Sequence, residues 1–162
     1  MKTKLSFLGF FTAIAVICGY VESLIPVFAG VPGIKLGLAN LSVLLILKRF
    51  SLKDAFLVSL ARILIIGFFF GSLFSIIYSL AGASCSLLLM FLCLRTGKFS
   101  IPAVSVIGGI THNMAQLFIA IWLVETPALL TYFPVLLISG ILTGLVIGFL
   151  TREIDHRLPL IR

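Results

Sequence analysis

The chain has 162 residues, of which 61% are hydrophobic and only 10% charged, and its mean hydropathy is +1.30. A water-soluble domain of this length is only about half apolar, so the composition excludes an ordinary soluble fold and indicates a membrane protein. The formal net charge of +7 does not signal nucleic acid, because the basic residues sit between apolar runs and not along one face.

Long apolar runs separated by short charged or Pro/Gly-rich breaks predict an all-α, polytopic bundle of six transmembrane helices in a single membrane domain over residues 1–162. No period-two alternation marks a barrel. The first span is predicted at about residues 5–25. Lys2 and Lys4 precede it, and Val27-Phe28-Ala29 resembles a leader cleavage site. The run exceeds the roughly 7–15 residues of a leader core, so a retained span is the expectation. Pro26, Gly30, Pro32 and Gly33 then break the chain into a loop.

The second span, about 34–47, is short, carries Gly37 and Asn40 in its opening turns, and ends at Lys48 and Arg49. The third, 52–70, contains Arg62, and Gly71 turns the chain into the fourth, 72–94, which holds Tyr78. The fifth, 101–124, carries His112, Asn113 and Gln116 inside an apolar stretch. The sixth, 128–150, leads into a charged tail from Arg152 to Arg162. With the N-terminus inside, Lys2, Lys4, Lys48, Arg49, Lys53, Arg95, Lys98, Arg152, Arg157 and Arg162 are all cytoplasmic, ten of the twelve Lys and Arg residues. The excess of basic residues on cytoplasmic loops therefore predicts an N-in, C-in topology.

Polar side chains in hydrocarbon are costly and turn toward protein or a wet cavity. His112 and Gln116 lie one helical turn apart with Asn113 beside them. At 1.5 Å per residue, Arg62 is roughly 15 Å into its span and His112 is near the midplane, while Asn40 and Tyr78 lie roughly 9 Å below the outer surface. Glu22 and Lys35 fall at the outer rim. This set predicts a pocket in the outer half, with Arg62, His112 and Lys35 countering an anionic group, and Asn40, Asn113 and Gln116 orienting polar edges. Tyr78 would stack on a ring. The plainer alternatives are an Arg62–Glu22 stitch, interhelical bonding by His112 and Asn113, a belt role for Tyr78, and simple rim charges at Glu22 and Lys35.

Gly140, Gly144 and Gly148 form GxxxGxxxG, a close helix-packing face. Ser72, Ser75, Ser79, Gly82 and Ser86 make a second seam of small residues, and Gly9, Ala13, Ala15 and Gly19 a third. Cys18, Cys85 and Cys93 form no CxxC pair, so neither a disulfide nor a metal is predicted. Five acidic residues, none in a paired-aspartate motif, with no GxSxG, HExxH or P-loop, predict no catalytic residues, no cofactor and no enzyme.

Pro32-Gly33-Ile34-Lys35-Leu36-Gly37-Leu38-Ala39-Asn40, Tyr78-Ser79-Leu80-Ala81-Gly82 and Thr111-His112-Asn113 with Gln116 resemble the Gx transporter family, also labelled heptaprenyl diphosphate synthase component I. That family is similar to the S components of energy-coupling factor transporters. The resemblance implies a six-helix S-component-like protein of the bacterial cytoplasmic membrane. It also implies partners, a transmembrane scaffold subunit and cytoplasmic ATPases, with a lid after the first helix over a vitamin-like, small-molecule substrate. Scaffold contact would fall on Gly9, Ala13, Ala15 and Gly19, although the Ala-x-x-x-Ala common in S components is not matched. The expected function is substrate capture for such an importer. The alternatives are a non-catalytic membrane anchor for a heptaprenyl diphosphate synthase, and a self-sufficient carrier assembled through the glycine face.

Overall fold

The computed structural model describes residues 2–24 and 37–158. Among these the secondary structure is helical: α1 (Lys2–Leu24), α2 (Leu38–Arg49), α3 (Leu52–Phe70), α4 (Leu73–Thr96), α5 (Ile101–Val124) and α6 (Phe133–Arg157), with a 3₁₀ turn at Pro127–Tyr132 before α6. Local chemistry sets the starts. Ser51 accepts from the Asp54 N–H at 3.2 Å to open α3, and Ser72 and Ser75 form a reciprocal capping box on α4. Ser100 caps α5, with Pro102 in its first turn, where a missing N–H does no harm. Gly97, at φ 66°, ends α4 in the left-handed conformation that glycine adopts without strain.

Two predicted spans differ from the observed helices. The second begins only at Leu38, because Gly37 takes φ 76° and breaks the helix on its N-terminal side; residues 34–36 lie outside the described residues. The sixth starts at Phe133 and continues to Arg157, so the predicted charged tail is helical as far as that residue. Among the described residues, four stretches are long and apolar enough to cross a membrane: 4–24, 73–96, 101–124 and 127–157. At 12 residues α2 rises only about 18 Å, against a hydrocarbon core of about 30 Å. α3 is long enough but carries Lys53, Asp54 and Arg62.

α3 packs between α1 and α4, and α5 packs between α4 and α6. The short α2 closes the set by touching α1, α3, α4 and α6, which explains why Ala39 and every residue from Ser42 to Leu47 is buried. Around it lies the main core of Phe11, Ala15, Val58, Leu87, Met90 and Val104. The outer surface is apolar instead of polar: Phe68, Phe69, Trp122, Leu142 and Phe149 are all exposed, as helices bathed in lipid require.

Where α2 and α6 end and α3 begins, charges tie the helices. Asp155 accepts from Arg49 Nε at 2.7 Å and from Lys48, and Lys4 pairs with Asp54 at 2.8 Å. The Arg49 guanidinium also donates to the carbonyls of Asp155 and Leu158. These bonds reach across the bundle and tie the last turns of α6 to the end of α2.

Candidate functional site

Toward the opposite end, where α1 finishes and α2 starts, the helices part around a polar cavity of about 90 Å³. Its wall takes Gly19, Glu22 and Ser23 from α1, Asn40 from α2 with Gly37 just before it, and Arg62, Ile63, Ile66 and Gly67 from α3. Ser75 and Ser79 come from α4, Gly109, His112, Asn113 and Gln116 from α5, and Thr143 from α6. Six of the residues singled out in the sequence, Glu22, Asn40, Arg62, His112, Asn113 and Gln116, thus share one void. Lys35, like the rest of the loop to which it belongs, lies outside the described residues.

Glycines bring the polar side chains together. A Cβ on Gly82 would stand 2.8 Å from Gln116 Cγ and 3.1 Å from His112 Cε1, so α4 accepts these two α5 side chains only where it has none of its own. Likewise, a Cβ on Gly19 would meet Ile66 at 3.3 Å and Arg62 Cδ at 3.8 Å.

Glu22 does more than line a rim. It is buried, and its Oε1 accepts from the Leu38 N–H at 2.5 Å, capping the first turn of α2 from the last turn of α1. A helix N-terminus carries roughly half a positive charge, so a carboxylate is well placed there. The same carboxylate attracts the Arg62 guanidinium. Asn113 Nδ2 donates to the Leu136 carbonyl at 2.8 Å, joining α5 to α6 while the residue faces the cavity. Arg62 Nε and Gln116 Nε2 are buried with no hydrogen-bond partner among the described residues. Leaving a buried donor unpaired costs about 1–3 kcal/mol.

Sequence reasoning assigned Ser75 and Ser79 to a packing seam and did not single out Thr143, yet all three line the cavity. Their signal was present as small polar residues at helical spacing. Ser86, in the same α4 seam, does pack, donating to the Gly108 carbonyl at 2.9 Å. Tyr78 stands apart from the polar chamber. It lines an adjoining, mostly apolar cavity of about 390 Å³ with Phe74, Leu117, Ala120, Val124, Leu129 and Leu136. Ser75, Asn113 and Gln116 border both spaces.

Gly140, Gly144 and Gly148 lie against α5. A Cβ on Gly140 would come 3.0 Å from the backbone of Gly109, and one on Gly144 3.0 Å from the Ser105 carbonyl oxygen. That face is therefore spent inside the bundle. The four small residues assigned to partner docking on α1 divide: Gly9 and Ala13 are exposed, whereas Ala15 and Gly19 are buried. Ala15 and Gly19 cannot form an outer docking face, because the helical spacing that places Gly9 and Ala13 outward turns these two toward α2 and α3.

Chemically the chamber offers donors from Arg62, Asn40, His112 and Gln116 against one carboxylate already engaged on α2. No group of three or more His, Cys, Asp or Glu side chains gathers as a metal site among the described residues. Neither a curated protein nor a solved structure matches the chain. The family described as heptaprenyl diphosphate synthase component I matches residues 11–154. That match takes in every helix that lines the chamber, and the chain belongs to the heptaprenyl diphosphate synthase component I family.

Proposed function

We propose that the chain is a non-catalytic membrane subunit that captures a small anionic or carbonyl-rich molecule in its polar chamber and acts through a partner protein. The observation that carries this reading is the convergence of Asn40, Arg62, His112 and Gln116 from three helices on one void, with Arg62 Nε and Gln116 Nε2 unpaired among the described residues. An acceptor-rich ligand would offset the desolvation of those donors. With the basic end cytoplasmic, as the bias of Lys and Arg toward inner loops favours, the chamber lies in the outer half and fills from outside. Thermal-shift measurements on purified protein with vitamins, phosphates and carboxylates test the reading. A ligand-induced shift that disappears in Arg62→Gln supports it. If no anion shifts the protein and Arg62→Gln behaves as the parent, the reading is wrong.

On the partner, the family description favours a second reading of the assembly: an accessory subunit or anchor beside another component of a prenyl diphosphate synthase. The energy-coupling alternative, with a scaffold subunit and two ATPases, draws its support from the chamber and from motif resemblance alone. Affinity purification from native membranes separates them, since the first retains a soluble synthase and the second retains ATPases.

A further inference from the structure

We infer that the ligand of this site is a compact, ring-free monocarboxylate that also carries a hydroxyl or amide group, held whole within the polar chamber. The inference rests on the capture reading and narrows its ligand. Size makes the first argument. A water-sized group needs roughly 10–15 Å³ of such space. The chamber, at about 90 Å³, therefore holds roughly six to nine of them. The ligand has no room to extend toward the apolar cavity. Asn113 and Gln116 form the wall between the two spaces, Asn113 fixed on the Leu136 carbonyl and Gln116 only 5% exposed.

The lining makes the second. Among the described residues no Phe, Tyr or Trp borders the chamber, whereas sites for flat ring compounds draw on aromatic walls. Phe74 and Tyr78 lie on the far side of the wall, so neither can stack on a ligand here.

Charge and hydrogen bonding make the third. Glu22 and Arg62 are the formally charged side chains of the chamber among the described residues. Glu22 is committed to the N-terminus of α2, which leaves Arg62 to balance one negative charge on a ligand. A dianion would bury a second charge without a partner. A planar carboxylate fits the fork of a guanidinium, and the Arg62 Nε–H is unpaired among the described residues. The chamber also calls for a donor. Thr143 donates its O–H to the Ser139 carbonyl at 2.8 Å, so its oxygen is left to accept. A hydroxyl or amide on the ligand supplies that donor, while its oxygen accepts from Gln116 Nε2.

The test uses the full chain in nanodiscs and reads the ligand-induced shift of the melting midpoint. Lactate, glycerate and succinamate represent the class. Four comparators each change one property: glycerol removes the charge, nicotinate adds a ring, succinate adds a second charge, and inorganic phosphate replaces the planar carboxylate. At least one member of the class is expected to act at concentrations at least about tenfold below all four comparators. Arg62→Lys, which keeps the charge and removes the fork, is expected to weaken it by about tenfold. Ala120→Trp fills the apolar cavity beyond the wall and is expected to leave binding within about twofold of the parent. Leu129→Trp repeats that arm from the 3₁₀ turn in case the α5 variant melts early. The inference is overturned if any comparator matches the class, or if both tryptophan variants weaken binding by about tenfold. In either event, an anion-induced shift lost in Arg62→Gln still leaves the capture reading standing, whereas silence from every probe removes both.

Discussion

The two ends of this bundle are built on opposite rules from the same helices. At the basic end α2 is sheathed on all sides, Leu44, Leu45 and Ile46 are almost completely buried, and Lys48, Arg49 and Asp155 tie the ends together. At the other end α2 contributes only its first turn, and the surrounding helices turn Asn40, Arg62, His112 and Gln116 into a void. One end spends its contacts on stability. The other leaves Arg62 Nε and Gln116 Nε2 without a partner among the described residues, a cost that a packed core avoids and that the proposed binding role would account for.

The comparison can be broken by substitutions whose effects should fall in a set order. The largest is expected at the α5–α6 seam that supports both ends. Gly144→Leu would drive a side chain into Val106 and Ser105, with a loss of about 3 kcal/mol or failure to assemble, read by thermal unfolding in detergent. Next, Ile46→Ala at the sheathed end should cost about 2–3 kcal/mol through lost packing and leave ligand binding intact. Glu22→Ala, which uncaps α2, should cost about 1–2 kcal/mol and also perturb binding through Arg62. Asn40→Ala should do the reverse of Ile46→Ala, with a stability change below about 1 kcal/mol but weaker ligand binding by calorimetry. A stability loss for Asn40→Ala equal to that of Ile46→Ala would erase the distinction between the ends. The smallest effect belongs to Glu153→Gln. Its pair with Arg157 is solvent-exposed, and the unfolding midpoint should barely move, by at most a few tenths of a kcal/mol.

What the sequence makes legible follows from which forces are local. α3 and α5 occupy their predicted bounds because Ser51, Ser100 and Gly71 mark the ends within a residue or two. The C-terminal extension of α6 was hidden, since Asp155 depends on Arg49, distant in sequence. Arg62, His112 and Gln116 stood out because a polar group in an apolar helix needs a reason. The capping role of Glu22 did not, because its partner is the Leu38 backbone across a loop. Nor did the division of the α4 serines, since spacing is the same whether a small residue borders a void or a neighbouring helix. Among the described residues four helices, not six, are both long and apolar enough to cross on their own. The short α2 and the charge-bearing α3 lean on neighbours for what length or hydrophobicity does not supply.

The brevity of α2 has a consequence for how such proteins diversify. Because α2 starts only at Leu38, it meets the hollow with its first turn alone, and Asn40 with Gly37 just before it is its whole share of the wall. On the capture reading, exchanging Asn40 or Gln116 would therefore retune what the hollow accepts while the helices that frame it stay in place.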